Sequence, residues 1–229
     1  MLISHRHRFA FIHVAKTGGS SVFGALWHHA DHVDHYWANR WLARIGIHVN
    51  HYAPYRLRKF RVHTPAETLR SNLPPDVYDG LFTFAFVRNP WDRLVSYYHF
   101  LRDADDHATH VSHRRGRTAR LPDFEAYVRY EVRRRKISQL RMVADRRGRL
   151  LVDFLGRFES LAADFGHACR RIGIDARLPT TNASRRRDYR DYYTADLAAL
   201  VRDHFAEDIE RFGYEFEAAA PPAVRRQAA

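Results

Sequence analysis

The chain has 229 residues, 45% of them hydrophobic, so it is long enough to bury the core of one α/β domain with insertions. Its single cysteine, Cys169, excludes an intrachain disulfide, and without an apolar run of about 18 residues or an apolar N-terminal region we expect neither a transmembrane span nor a signal peptide. The net charge of +12 indicates an anionic partner, which a polyanion, an acidic membrane surface or an anionic cofactor would each satisfy.

The first element is an apolar run over residues 9–14, which predicts a buried strand. A loop follows it, before a helical pattern begins at Val22. Glycines there let the backbone approach an oxyanion, the helix start directs N–H groups at it, and hydroxyls add donors. The loop is therefore predicted to bind a phosphate group through one lysine, two glycines and three hydroxyl residues: Lys16, Thr17, Gly18, Gly19, Ser20 and Ser21.

The order of residues separates this loop from the common nucleotide-binding loop. A Walker A loop has four residues between its glycines and its lysine after the second, whereas Lys16 precedes the glycine pair. An ordinary strand-to-helix turn that needs glycine for its backbone angles stays open as an alternative. Composition favours the phosphate site, because only three of the 38 lysines and arginines are lysines, and Lys16 is one of them.

Histidines are frequent in residues 28–51. His28, His32 and His35 follow the i, i+4, i+7 spacing that a zinc site can use, but no cysteine ligand accompanies them. We therefore expect no metal here, and interpret these histidines as partly exposed side chains or a wall facing the substrate.

A helix start is predicted shortly afterwards. Thr64, Pro65 and Glu67 show the pattern of an N-cap, a first helical residue and a capping-box glutamate. His63 is therefore predicted to lie on a loop just outside a helix rather than in the core.

A second apolar run, residues 81–87, predicts another strand. Asn89 can cap the next helix and Pro90 can open it. Arg88 would then stand at the carboxyl end of a strand beside a helix start, where ligands bind in open parallel sheets. That position suits a bidentate contact with a phosphate group.

Ser96 lies two turns into this second helix and would add a hydroxyl to the same anion. The alternative interpretation of Arg88 is a structural ion pair with Asp92 or Asp76, since arginines often pair with carboxylates.

The later elements are predicted from composition and capping residues. Residues 103–121 are polar and basic and are expected to form a mobile loop or insertion. A strand is expected at residues 150–154, a helix from Ser160 to Gly173, and a longer helix from Thr194 to just before Gly213. Residues 218–229 are expected to form a disordered tail.

The two strongest motifs, FIHVAKTGGSS at residues 11–21 and FVRNPWDRLVSYY at residues 86–98, together resemble a known family. They are similar to the membrane-type carbohydrate sulfotransferases, the group that includes heparan 2-O- and chondroitin sulfotransferases and bacterial relatives. Further similar stretches extend the resemblance over residues 9–214. The family loop usually has proline where Ala15 stands, and residues 27–62 match no family segment.

The resemblance implies a P-loop-like, three-layer α/β fold with a central parallel sheet flanked by helices, in a single sulfotransferase domain over residues 1–217. It implies 3′-phosphoadenosine 5′-phosphosulfate (PAPS) as the donor, with no metal required. Residues 16–21 would bind the 5′-phosphosulfate, and Arg88 and Ser96 the 3′-phosphate. A loop that contains Ser184 and Arg185 would cover the nucleotide.

Transfer of a sulfuryl group to a hydroxyl needs in-line positioning, a base and stabilisation of the leaving phosphate. Lys16 is expected to hold the bridging and leaving oxygens. His63 is the expected base, because imidazole titrates near neutral pH and the family's catalytic histidine also precedes the second motif. His48 and His51 are alternatives, and Glu67 is a weaker one.

Two other functions stay open. A P-loop kinase or nucleotidase is disfavoured by the position of the lysine and by the lack of a magnesium-binding aspartate after a second strand. A nucleic-acid-binding module is supported by charge alone, without a zinc-finger, helix-turn-helix or RNA-recognition signature.

The expected partner is a carbohydrate or glycoconjugate acceptor, for which the basic loops suggest a negative charge. No specific nucleic acid is expected. The sequence is interpreted as a cytoplasmic enzyme, with peripheral contact to a membrane left open, and its oligomeric state is undetermined.

Overall fold

The computed structural model describes residues 1–31, 41, 44, 60–103, 112–134, 138–179, 187–216 and 224–225. The chain divides into two compact units. The first comprises Met1–Val87, Gln139–Thr181 and Pro222–Ala229, and the second comprises Arg88–Ser138 and Asn182–Pro221. The single domain expected over residues 1–217 stays a prediction.

The described part of the chain contains both strands and helices. The strands are β1 (Leu2–Ser4), β2 (Phe9–Ile12), β3 (Phe82–Val87), β4 (Phe154–Arg157) and β5 (Val224–Arg225). The helices are α1 (Gly19–Leu26), α2 (Ala66–Asn72), α3 (Pro75–Asp79), α4 (Pro90–Asp103), α5 (Ser112–Ala119), α6 (Phe124–Val132), α7 (Leu140–Val143), α8 (Leu161–Ile172), α9 (Ala195–His204) and α10 (Ala206–Phe212). Short 3₁₀ turns occupy Trp27–His29, Phe158–Ser160 and Tyr189–Tyr192.

The first unit is built on one mixed sheet with the strand order β1-β2-β3-β4-β5. β2, β3 and β4 run parallel, whereas β1 and β5 pair antiparallel at the two edges. The register pairs Ile12 with Ala85 and Val87 with Arg157, so the parallel strands end at the same edge of the sheet. The expected α/β fold with a parallel centre flanked by helices is confirmed.

Aromatic side chains build one face of this sheet. They alternate along the strands and form one cluster with apolar residues of α1 and α8. The intervening residues Ala10, Ile12 and Ala85 are also fully buried, so the centre of the sheet is covered on both faces. Such strands read as continuous apolar runs, which is why they could be recognised in the sequence. The aromatic members are Phe9, Phe11, Phe84, Phe86 and Phe154.

The second unit is helical in its described residues. Its helix α4 packs against α5, α6 and α9. Aromatic residues join these helices to the Tyr189–Tyr192 turn, with the ring centroid of Phe124 lying 5.4 Å from that of Tyr192 and 5.1 Å from that of Tyr193. Among the described residues, none of the helices is both long enough and apolar enough to cross a membrane.

Glycines end two helices where the sequence predicted. Gly173 follows α8 with a φ of +67°, and Gly213 follows α10 with a φ of +65°, both in the left-handed region. Thr194 caps α9 as predicted, because its hydroxyl accepts the backbone N–H of Leu197 at 3.3 Å. The long helix expected after Thr194 is divided into α9 and α10 at Phe205.

Three local predictions were wrong. The strand expected at residues 150–154 begins only at Phe154, because Leu150 instead forms an isolated bridge with Ala144. Residues 103–121 were expected to form a mobile loop or insertion, and the loop interpretation is wrong because they contain helix α5. The Thr64 hydroxyl donates to the Arg61 carbonyl rather than capping a helix, and α2 starts one residue later than its pattern indicated.

Candidate functional site

The loop between β2 and α1 has a distinctive backbone path. Lys16 and Gly18 have positive φ angles of +66° and +79°, which lie in the left-handed region. Glycine adopts this region freely, whereas a lysine there is strained, and such strain concentrates at functional sites. Within the loop the buried Thr17 hydroxyl donates to the Val14 carbonyl at 2.9 Å. The loop is therefore shaped by contacts within the chain itself.

The start of α1 completes the predicted phosphate-binding loop. Gly18 occupies the N-cap position, and its carbonyl accepts the backbone N–H groups of Ser21 at 3.1 Å and Val22 at 3.2 Å. The first turn of any helix carries the positive end of the helix dipole and N–H groups without carbonyls one turn earlier. Ser20 is exposed and Ser21 is half-buried. This arrangement suits an anion at the helix start.

The two glycines of the loop are each required by a different neighbour. A Cβ on Gly18 would lie 2.5 Å from Leu161 Cδ2, in addition to the positive φ that the residue needs. A Cβ on Gly19 would lie 2.1 Å from both Cδ2 and Nε2 of His13. The sequence indicated that these glycines leave space for a ligand. In the structure they also leave space for the His13 ring and the Leu161 methyl group that pack against the loop.

His63, the predicted base, lies beside this loop. Its ring centroid is 4.8 Å from that of His13, the histidine packed against Gly19. Nδ1 of His63 lies 2.9 Å from the His13 carbonyl oxygen, which can only accept, so Nδ1 carries a proton and donates it there. In neutral His63 the basic lone pair is therefore on Nε2. The side chain is exposed, as its predicted loop position requires.

His13 itself is a buried, neutral histidine. Its side chain stacks on Phe11 with ring centroids 5.7 Å apart, and the residue is 8% exposed. Burial, with smaller contributions from His63 and the N-terminal ammonium, lowers its pKa to about 3. Its Nδ1 is buried and has no hydrogen-bond partner among the described residues. His13 therefore supports the loop and His63 without carrying a charge.

Arg88 follows β3 directly and is buried, with 4% of its surface exposed. Its Nε and Nη2 both donate to Oδ2 of Asp92 at 2.7 Å, so the ion pair that the sequence offered as an alternative exists. Asn89 Oδ1 accepts the backbone N–H groups of Trp91 at 3.0 Å and Asp92 at 3.4 Å. The predicted cap at Asn89 and helix start at Pro90 are confirmed, and the binding role of Arg88 stays a prediction.

Ser96 is half-buried and lies one helical turn after Asp92 on α4. Residues four apart share a helix face, so Ser96 and Asp92 line the same side of α4. Ser184 and Arg185 lie outside the described residues, as do the alternative bases His48 and His51.

The sequence analysis did not single out Arg157, although its segment belongs to the family resemblance. Arg157 is the last residue of β4, is 1% exposed, and pairs in register with Val87. The next residue, Phe158, packs against Gly18 of the loop. A buried guanidinium thus lies at the sheet edge where the loop begins. The sequence signal that could have identified Arg157 is its position as the last residue of an apolar strand.

No group of three or more histidine, cysteine or carboxylate side chains that could hold a metal ion occurs within the described residues. Within that part of the chain, His5 pairs with Asp31.

Comparisons with known proteins identify the family. Residues 1–215 match the sequence model of the sulfotransferase family. An uncharacterised protein of Archaeoglobus fulgidus is 25% identical over 114 residues, which are 50% of this chain and 86% of that protein. The crystal structure of a sulfotransferase from Alicyclobacillus acidocaldarius is similar with a TM-score of 0.39 and 18% identity, over 89% of this chain and 93% of that one. Because the family match spans nearly the whole sequence, the chain belongs to the sulfotransferase family.

Proposed function

We propose that this sulfotransferase moves a sulfuryl group from PAPS to a hydroxyl of a carbohydrate or glycoconjugate. Membership of the family supports sulfuryl transfer, and the loop at residues 16–21 supports a donor that carries a phosphate group. In this proposal the loop binds the 5′-phosphosulfate, and Arg88 and Ser96 bind the 3′-phosphate. Ser184 and Arg185 belong to the segment that covers the nucleotide.

The observation that carries the proposal is the hydrogen bond from Nδ1 of His63 to the His13 carbonyl. It sets the tautomer of an exposed histidine beside the phosphate-binding loop, so that Nε2 is the basic nitrogen. A general base needs this combination of a fixed ring, a basic lone pair and a place next to the reacting group. Lys16, with its strained backbone, supplies the positive charge in the same loop.

Each of these residues has a separate role in the proposed reaction. Nε2 of His63 takes the proton of the acceptor hydroxyl while that oxygen attacks the sulfur atom. A new O–S bond forms, and the bond from sulfur to the bridging oxygen breaks, which releases 3′-phosphoadenosine 5′-phosphate (PAP). Lys16 and the backbone N–H groups at Gly18, Gly19 and Ser20 stabilise the charge on the leaving phosphate.

Asp92 prepares Arg88 for its proposed role. The carboxylate holds the guanidinium through two donors, so the side chain is already ordered before a phosphate binds. Ordering in advance lowers the entropy cost of binding. The ion pair and the phosphate contact are therefore compatible functions of one arginine.

Calorimetric titration with PAP, AMP and ATP tests the donor site. Wild type is expected to bind PAP more tightly than AMP, because only PAP has the 3′-phosphate. Arg88→Ala should weaken PAP binding about tenfold or more and leave AMP binding nearly unchanged. Lys16→Ala should weaken both. Arg129→Ala is the matched control, since it also breaks an i,i+4 arginine pair, with Glu125, whose side chains are both half-exposed. Equal binding of PAP and AMP by wild type would contradict the proposal.

The proposed base is tested by His63→Gln with PAPS and a hydroxyl acceptor. The variant should lose about 10²-fold to 10⁴-fold in kcat while its PAP affinity is unchanged. His28→Gln, which replaces an exposed histidine outside the proposed site, is the control. A His63→Gln enzyme with the kcat of wild type would exclude His63 as the base.

A further inference from the structure

Trp27 is an exposed tryptophan directly after α1. It opens the 3₁₀ turn Trp27–His29, and 41% of its surface is exposed. Single exposed apolar residues are common on protein surfaces, so exposure alone does not indicate a binding site. Trp27 differs from such residues in two ways, because its position is fixed by the chain around it and because ring contacts connect it with His63.

The chain holds Trp27 from both sides. Phe23 lies one turn earlier on α1, and the centroids of the two rings are 5.0 Å apart with their planes inclined by 36°. After Trp27, the Ala30 N–H donates to the Trp27 carbonyl at 3.2 Å, and the Asp31 N–H donates to the Ile3 carbonyl of β1 at 2.7 Å. The indole is therefore supported before any ligand binds, which lowers the entropy cost of a contact with it.

A series of ring contacts leads from Trp27 to the proposed base. Between ring centroids, Phe23 lies 6.5 Å from His13, and His13 lies 4.8 Å from His63. Together with the 5.0 Å between Trp27 and Phe23, these distances place the rings of Trp27 and His63 at most about 16 Å apart. All four residues belong to the first compact unit of the chain.

Trp27 is also separated from the place where sulfur would be transferred. It lies eight residues after Gly19, the first residue of α1. At the helical rise of about 1.5 Å per residue, its Cα is about 12 Å along the helix from the end that is predicted to bind phosphate. One sugar unit therefore does not extend from the reacting hydroxyl to the indole, whereas a short oligosaccharide does.

The surface beside the base has a second exposed apolar side chain. Val62, which directly precedes His63, is 48% exposed. Neither Trp27 nor Val62 carries a charge, so their side chains fit the C–H groups on one face of a sugar ring rather than an anionic substituent. Trp27 lies in the segment of residues 27–62 that matches no family segment, so a contact made there belongs to this chain in particular.

We propose that Trp27 binds a pyranose ring of the acceptor by stacking, and that this ring is a neighbour of the one whose hydroxyl reacts at His63. The inference rests on the proposed function, because it assumes a saccharide acceptor at His63. The indole supplies a flat apolar surface, and the C–H face of the pyranose packs on it. The contact thereby favours longer saccharides over single sugars.

NMR titration with two neutral probes, in the presence of saturating PAP, tests this proposal. The probes are cellotetraose, which can reach both places, and methyl β-glucoside, which can reach only one. Wild type should bind cellotetraose about tenfold more tightly than methyl β-glucoside. The indole N–H signal of Trp27, identified by its loss in Trp27→Leu, should shift with cellotetraose.

Two substitutions separate the flat ring from its apolar character. Trp27→Leu stays apolar without a flat face, and it should bind the two probes within about twofold of each other. Trp27→Phe keeps an aromatic ring against Phe23, and it should retain most of the preference for cellotetraose. Phe100→Leu is the matched control, because it replaces another exposed aromatic side chain, 38% exposed, in the second unit. It should keep the preference of wild type.

The proposal is overturned if wild type does not prefer cellotetraose, if the Trp27 signal does not shift, or if Trp27→Leu keeps the preference. It also fails if Phe100→Leu loses as much of the preference as Trp27→Leu. PAP binding, measured by calorimetry in the same samples, separates the two levels. A failed preference with intact PAP binding removes only the stacking site, whereas absent PAP binding removes the proposed function too.

Discussion

At the scale of single residues, His13 touches both the predicted phosphate-binding loop and the proposed base. Its ring fills the space above Gly19, and its carbonyl accepts the proton of His63 Nδ1. The contact with His63 depends on packing between residues that are 50 positions apart in sequence. His13 is therefore a support for the base that only the folded chain could show.

The contact between His13 and Gly19 predicts a specific mutational result. Gly19→Ala should lower the free energy of unfolding by about 1–3 kcal/mol, because the new methyl group would overlap the His13 ring. In a His13→Ala background the same change should cost less than about 0.5 kcal/mol, since the ring is gone. Urea denaturation of the four proteins measures this coupling.

Gly24 provides the control on the same helix. A Cβ at Gly24 meets nothing within 4 Å, so Gly24→Ala should be neutral or stabilise by up to about 1 kcal/mol through helix propensity. Equal effects at Gly19 and Gly24 would contradict the role assigned to His13.

The ion pair of Arg88 and Asp92 makes a second prediction. Their side chains are 5% and 13% exposed, so Asp92→Asn leaves a buried guanidinium without its counter-charge. We expect a loss of about 3 kcal/mol in the free energy of unfolding. Glu125→Gln, which breaks the half-exposed pair with Arg129, should cost less than about 0.5 kcal/mol. If thermal and urea unfolding show similar losses for both variants, Arg88 does not depend on Asp92.

At the scale of elements, the predictable parts are those that local sequence determines. β2 and β3 were recognised because strands covered on both faces are continuously apolar. The beginning of β4 was misplaced, since the apolar run from Leu150 continues through it and only the pairing with β3 decides where the strand starts. Helix α5 was missed because its basic, glycine-containing sequence resembles a loop.

The prediction at this scale concerns Asn89, which caps α4. Asn89 accepts two backbone N–H groups of the first turn, and its Nδ2 also donates to the Glu215 carbonyl at 3.2 Å. Asn89→Ala should cost about 1–2 kcal/mol or slightly more, and Asn89→Asp should cost less because it keeps the capping oxygen. Urea denaturation ranks the variants. An Asn89→Asp protein as unstable as Asn89→Ala would mean that the donation to Glu215, rather than the cap, is the important contact.

On the scale of the whole molecule, the family could be predicted because the residues that carry the resemblance lie in two short motifs, each at the end of a strand. The binding roles of Lys16 and Arg88 were predicted from these motifs and stay predictions. Arg157 was not predicted, because its place depends on which strand folds next to the loop. Candidate site residues could thus be predicted where one segment contains them, and not where several segments meet.

His13 also makes the stability of the whole protein depend on pH. Its pKa falls from 6.5 to about 3 on folding, mainly through burial, so near pH 5 the unfolded chain binds a proton that the folded chain does not. The stabilisation is complete above pH 6.5 and is lost progressively as the pH falls towards 3. Between pH 7 and pH 5 this group alone should lower the free energy of unfolding by about 2 kcal/mol.

Urea denaturation at pH 7, 6 and 5 measures this effect. His13→Asn should show a shallower pH dependence than wild type by that amount, and His28→Asn should keep the wild-type dependence. Parallel curves for wild type and His13→Asn would show that His13 is not the group that titrates.

Lys16 combines a positive charge, which the proposed reaction needs, with a left-handed backbone conformation, which lowers stability. A side chain that tolerates such angles better, such as asparagine, should make the fold more stable by about 0.5 kcal/mol and abolish transfer. Thermal denaturation of Lys16→Asn alongside an activity assay would reveal both changes. Selection of variants for heat resistance alone would therefore favour replacement of Lys16. Efforts to stabilise this enzyme should keep lysine at this position.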